Sequence, residues 1–164
     1  MNRLKFESAI IEKVVSCLSQ ANAYFDSDIA LPLVRFNQKG SAAGTAYLQR
    51  HEVRFNYDMF IQNPTEFIQT VVPHEIAHLF VYKIFGSSPK PHGQEWQSIM
   101  VKVFDLTPNR THAFRVKPAA NSFLYQCDCA EHHLTIRRHN KILKGGLYQC
   151  RNCKATLKEK ETCS

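Results

Sequence analysis

Residues 74–78 read His74-Glu75-Ile76-Ala77-His78, set among Val71, Val72, Leu79, Phe80 and Val81. Apolar residues at this density place the pentad inside a buried helix. Four residues along a helix turn the chain by about 400°. The two imidazoles therefore leave one face about 6 Å apart in rise, which suits two ligands of one tetrahedral zinc ion. Glu75 lies beside them, placed to take a proton from water at such a metal rather than to bind it. Chance would supply the pattern only about 0.02 times in a chain of this composition, so coincidence is a poor account of it.

The helix carrying the pentad begins at Asn63-Pro64-Thr65-Glu66, which offers an N-cap, a proline at the first helical position and a capping-box glutamate. It is expected to run to about Phe85, before Gly86, with Pro73 kinking it immediately before His74. A catalytic zinc needs a third protein ligand and an open position. His92, beyond the loop from Gly86 to Pro91, and Glu95, one turn further on, both qualify on spacing. Gly93 to Phe104 has helical spacing through Trp96, Met100, Val103 and Phe104. Upstream, Phe6, Ile10, Val14, Cys17, Leu18, Ala21 and Phe25 recur every three or four residues and predict a long first helix. Extended pieces follow at Leu31 to Asn37, Thr45 to Leu48 and Glu52 to Tyr57, giving an α+β domain with a small antiparallel sheet. The strand from Glu52 to Tyr57, as the sheet edge beside the metal, would accept an extended peptide by strand addition.

The six cysteines are unevenly placed, with five after residue 126. The N-terminus has charges where a signal peptide needs an apolar run, and no stretch reaches the roughly 18 apolar residues of a membrane span. A cytoplasmic, reducing location is therefore expected, with no membrane partner and metal binding favoured over disulfides. Cys127-Asp128-Cys129 and Cys150-Arg151-Asn152-Cys153 have the layout of a structural zinc ribbon. The first pair is tighter than usual, so His132 competes with its thiols for the fourth ligand position. Cys17 fits a helix core and Cys163 a frayed tail. Between the pairs, a run read as a hairpin strand carries Arg137, Arg138, Lys141 and Lys144, candidate phosphate contacts, and Phe123, Tyr125 or Tyr148 would stack on unpaired bases.

With 164 residues, 44% apolar and 21% charged, the chain can bury a core and is neither disordered nor low in complexity. Its formal +7 is localised. Residues 1–99 hold nine basic and nine acidic side chains, whereas residues 100–164 hold twelve basic and five acidic. That asymmetry favours a polyanion partner for the C-terminal part, with Lys102, Arg110, Arg115 and Lys117 extending the surface. Gly40 to Gly44 lacks the Lys and Ser/Thr of a phosphate loop, and no dinucleotide fingerprint is present.

Pro73-His74-Glu75-Ile76-Ala77-His78, then Pro91-His92-Gly93 with Trp96, then a cysteine-bearing C-terminal hairpin, resembles the SprT family of zinc metallopeptidase-like proteins. That family is related to the Spartan protease domain and more distantly to a yeast DNA-dependent protease. The resemblance covers nearly the whole chain. It implies a zincin-like domain at residues 1–104, a connecting arm at 105–122 and a zinc ribbon at 123–164. It assigns a catalytic zinc to His74, His78 and His92, a catalytic role to Glu75 and a second, structural zinc to the ribbon, whose fourth ligand it leaves open. The implied activity is peptide-bond hydrolysis by a monomer acting on proteins bound or crosslinked to DNA, with single-stranded character in the DNA. Two other readings stand beside it: a non-proteolytic zinc-containing DNA-binding or regulatory protein, and a zinc hydrolase of non-protein amides. No side chain in the sequence is identifiable as an oxyanion donor.

Overall fold

The computed structural model describes residues 3–111, 114 and 122–160. The chain divides into two compact units, Met1–Val116 and Lys117–Ser164.

The first unit opens with α1 (Arg3–Phe25), whose buried side chains Phe6, Ile10, Val14, Cys17, Leu18 and Ala21 form the expected apolar stripe. Burying each of the larger ones is worth about 1.5–3 kcal/mol, so packing rather than propensity holds this helix in place. Strands β1 (Leu33–Arg35), β2 (Gly44–Tyr47) and β3 (Glu52–Phe55) make one sheet in the order β1-β3-β2. It is mixed rather than antiparallel throughout, because β1 runs parallel to β3 while β2 runs antiparallel to it. The strand expected at the edge, β3, is thus the central one, and the edge strand that meets α4 is β2. Val53 and Phe55 of β3 are buried in the core. Glu52, only 4% exposed, is ion-paired with Arg54 and Arg35. Arg54 in turn lies over the Tyr47 ring at 4.2 Å, tying the edge strand to its neighbour.

The strand expected to continue to Tyr57 stops at Phe55. Asn56 caps α2 (Tyr57–Gln62), its side chain accepting a hydrogen bond from the Met59 N–H. The short α3 (Pro64–Glu66) leads into a π-helical turn, Phe67–Val71, and then α4 (Val72–Phe85). The wider turn lies where the kink at Pro73 was expected. Proline removes a helix donor and crowds the carbonyl four residues back, and a π turn relieves both without breaking the helical path. Helix α4 contacts α1 and the edge strand β2. Helix α5 (Gln94–Lys102) packs on α4 with Trp96 fully buried. The segment expected to be a connecting arm contributes to this core: Leu106 packs against it, and buried Phe114 stacks on Phe67.

The second unit has strands β4 (Ser122–Gln126), β5 (Glu131–Thr135) and β6 (Lys158–Glu159) in the order β5-β4-β6. The basic run read as strand is helix α6 (Ile136–Leu143), which turns its buried His139 and half-buried Ile142 inward. Its core of Tyr125, Leu134, Cys150 and Leu157 is small. A core of that size does not stabilise a domain unaided, which leaves the cysteines to supply the rest.

Candidate metal centre

Helix α4 delivers His74 and His78 one turn apart, and the turn after Pro91 delivers His92 from the other side. The three Nε2 atoms form a nearly equilateral triangle with edges of 3.2, 3.1 and 3.0 Å. Nitrogens bound tetrahedrally to zinc at 2.0–2.1 Å would stand about 3.3 Å apart, so the triangle fits that ion closely. Burial first, then the neighbouring His74 and His92, pushes His78 down to about 3, into the neutral form a metal requires. Burial and then the charge of Arg110 also hold His92 below its ordinary value. Glu95, the rival third ligand, is not among the converging groups.

Trp96 is the floor of the site. Its indole centroid lies 4.7, 5.7 and 4.7 Å from the rings of His74, His78 and His92, and its Nε1–H donates to the His74 carbonyl at 3.3 Å. His92 takes a left-handed conformation, φ 57°, and the Gln97 side chain donates to its carbonyl at 3.0 Å. Glu75 is 6% exposed. Burial pushes its carboxyl up to about 8, partly offset by a hydrogen bond from the backbone of Ala46. A nearby dication would favour the ionised form again.

Two cavities flank the centre. One, of about 870 Å³, runs along the edge strand past Tyr47, Leu48, Val81 and Pro89. The other, of about 600 Å³, extends from His74 and Glu75 towards Ser41, Thr70, Asn109 and Arg110. Arg110, expected on a DNA surface along the arm, thus lines the second cavity. Arg115 and Lys117 fall outside the described residues, as does Cys163.

The second unit gathers the other cluster. The ligand atoms of Cys127, Cys129, Cys150 and Cys153 lie within 4.8 Å of one another. Sulfur separations of 3.6 Å (Cys127–Cys129) and 3.7 Å (Cys129–Cys150) match the roughly 3.8 Å of tetrahedral zinc thiolates. His132 approaches Cys127 Sγ at 3.1 Å and stands outside the four-thiol set. Backbone N–H groups of Cys153 and Asn152 pull Cys150 down to about 6. Hydrogen bonds to the other three thiols hold Cys129 up at about 12. Four clustered thiolates need a cation to share their charge.

The DNA-contact candidates are exposed along α6: Arg137, Arg138, Lys141 and, just beyond it, Lys144. Arg138 and Lys141 approach the half-buried Tyr148 ring at 6.0 and 5.7 Å. Tyr125, by contrast, is 1% exposed and bonds through its hydroxyl to His139 Nδ1 at 3.0 Å, so it is not available to stack on a base. Phe123 is half-buried and already stacked on His139, ring centroids 3.6 Å apart. Of the three aromatic candidates, Tyr148 remains. Gly44, Ala46 and the placement of Arg110 at the catalytic cavity were not legible beforehand, since tertiary packing alone brings them to the centre.

A three-histidine triangle on and beside an HExxH helix, with a buried glutamate next to it, defines an HExxH-type zinc metalloprotease site, and the four thiols define a structural zinc site. The sequence pattern of the SprT-like family matches residues 14–113, and that of the SprT-like zinc ribbon domain matches residues 121–161. The chain belongs to the SprT-like family. It is 46% identical over 147 residues to a protein of Pasteurella multocida named Protein SprT, covering 88% of each chain. It is 42% identical to Protein SprT of Yersinia enterocolitica over 99% of this chain and 100% of the relative. No solved structure matches it. Among the described residues, no helix is long and apolar enough to cross a membrane.

Proposed function

We propose that this zinc metalloprotease acts in the cytoplasm, as a monomer, on proteins bound or crosslinked to DNA, and that its second unit engages DNA with single-stranded character. The observation that carries the DNA reading is the patch on α6, where Arg138 and Lys141 lie 6.0 and 5.7 Å from the Tyr148 ring. Guanidinium and ammonium groups neutralise phosphates, and the exposed part of a half-buried ring beside them can stack on an unpaired base. Arg137 and Lys144 extend the same charge.

His74, His78 and His92 would hold the catalytic zinc. That ion would supply Lewis acidity, lowering the pKa of water to about 7 and polarising a carbonyl oxygen. Glu75 does the proton work. Its carboxylate accepts a proton from the attacking water and passes it to the departing amine, and its raised proton affinity suits the second role. The edge of β2, rather than the strand first expected, faces the cleft from Gly44 to Tyr47 and would take an extended peptide by strand addition. In the second unit, Cys127, Cys129, Cys150 and Cys153 would hold the structural zinc.

The test is cleavage of one protein offered free, on single-stranded DNA and on duplex DNA, with Glu75→Gln as control. Faster cutting on single-stranded DNA, lost with Glu75→Gln, is the expected result. Equal rates on all three would overturn the DNA reading. Cleavage that survives Glu75→Gln would overturn the assigned role of that residue. A protein left uncut in every arm would favour the non-proteolytic DNA-binding reading.

A further inference from the structure

Hydrolysis at this centre leaves one chemical role without an assigned residue. When water adds to a peptide carbonyl, a C–O bond forms, the C=O π pair moves onto oxygen, and the water's proton goes to Glu75. The C–N bond then breaks as that proton reaches nitrogen. The charge on oxygen needs preorganised donors, and such donors are among the larger contributions to catalysis. The indole N–H of Trp96 is already committed to the His74 carbonyl.

The second cavity holds an uncommitted donor. Arg110 lines it together with His74 and Glu75, on the segment that leaves α5. The path of that segment is set by the Leu106 N–H donating to the Met100 carbonyl at 2.9 Å and the Asn109 N–H donating to Thr107 at 2.8 Å. Among the described residues no carboxylate pairs with Arg110, although Glu66 lines the same cavity. Lys90 and Arg50 line the other cavity. A guanidinium keeps its charge at every working pH and offers five donors in a fixed fork.

We infer that Arg110 is a catalytic residue whose guanidinium donates hydrogen bonds to the scissile carbonyl oxygen as negative charge builds on it. Arg110 keeps all its protons throughout the bond changes above. This role rests on the proteolytic reading.

The experiment compares zinc-loaded wild type, Arg110→Lys and Arg110→Gln on an unfolded protein substrate. It also measures, without turnover, binding of a phosphinic peptide, whose reacting position is tetrahedral and anionic, and of the matching planar amide peptide. Arg110→Gln is expected to lower kcat about 10²- to 10³-fold with KM and zinc content nearly unchanged. It should weaken the phosphinic peptide at least about tenfold while the planar peptide binds as before, with Arg110→Lys intermediate in both readouts. An unchanged kcat and phosphinic affinity in Arg110→Gln would overturn the role while leaving the proteolytic reading intact. Equal weakening of both peptides would also overturn it, making Arg110 a ground-state binding group. A wild type that cuts no substrate would remove the proteolytic reading and this role with it. Should Arg110→Gln fail to fold, Arg110→Lys carries the same comparison.

Discussion

The α carbon of Gly44 sits directly against the side chain of Glu75. A β carbon at position 44 would stand 2.7 Å from Glu75 Cγ and 2.8 Å from its Oε1. Edge strand and catalytic helix therefore meet at this distance only because residue 44 has no side chain. Two residues on, the backbone of Ala46 bonds to the Glu75 carboxyl, so one short strand both makes room for the acid and holds it.

Gly44→Ala is expected to displace the Glu75 carboxyl while leaving the histidine triangle in place. A misplacement of about 1 Å costs on the order of 10²-fold in rate. Peptide cleavage should fall by at least that factor with zinc content unchanged, as measured by turnover and metal analysis on one sample. Loss of zinc together with activity would place the damage in α4 rather than at Glu75.

Glu75→Gln should stabilise the metal-free protein at alkaline pH. Burial raises the Glu75 carboxyl to about 8 in the fold, so the fold favours the neutral acid. That contribution is complete below the ordinary carboxylate range and is lost as pH rises through about 8, a change on the order of a few kcal/mol. Trp96, the only tryptophan, reports the unfolding of this unit. In chelator, the Tm of Glu75→Gln should match that of the parent at pH 4 and exceed it by several degrees at pH 9. A constant gap across that range would show that folding does not raise the Glu75 carboxyl above its ordinary value.

The ribbon should unfold on losing its metal without taking the first unit with it. Its apolar core rests on Tyr125, Leu134 and Leu157, too little to hold alone, and structural zinc supplies about 10–16 kcal/mol in peptides of this kind. Cys129→Ser should lower zinc from two ions per chain to one and abolish hydrogen-exchange protection in β4 and β5. The Trp96 unfolding transition should stay where it is. Two ions retained in Cys129→Ser would count against the four-thiol site.

DNA binding should separate into a salt-dependent and a salt-independent part. On the proposed DNA surface, Arg138→Gln and Lys141→Gln would each remove one phosphate contact, and each should reduce the salt slope on single strands by about 0.7. Tyr148→Ala should cost about 1–3 kcal/mol on single strands at every salt concentration and little on duplex. Titrations at several ionic strengths distinguish these. A Tyr148→Ala effect equal on both DNA forms would exclude base stacking.

The parts of this architecture that could be read in the sequence are those fixed by local spacing. His74 and His78 are one helical turn apart whatever surrounds them, and each cysteine pair is a self-contained knuckle. The α1 stripe was legible for the same reason. What depended on long-range pairing was not. That β3 lies inside the sheet and β2 at its edge follows from which strands meet, and the alternation in Val53 and Phe55 suits either position. Helix α6 was obscured because its inward residues, His139 and Ile142, are few, and the exposed charges between them suit a solvated strand equally well. Gly44 and Arg110 carry no local pattern at all: Gly44 packs against Glu75, 31 residues on, and Arg110 lines a cavity with His74 and Glu75, 36 and 35 residues back.

His92 supplies its imidazole from the left-handed region, a backbone state that costs a non-glycine residue on the order of 1–3 kcal/mol. Coordination would offset that cost, and demetallation would release it. The segment just before His92, Pro89 to Pro91, lines the larger cavity along the edge strand. The third ligand would then also act as a latch: a zinc ion would fasten one wall of the proposed substrate groove, so that metal occupancy and peptide grip would rise and fall together.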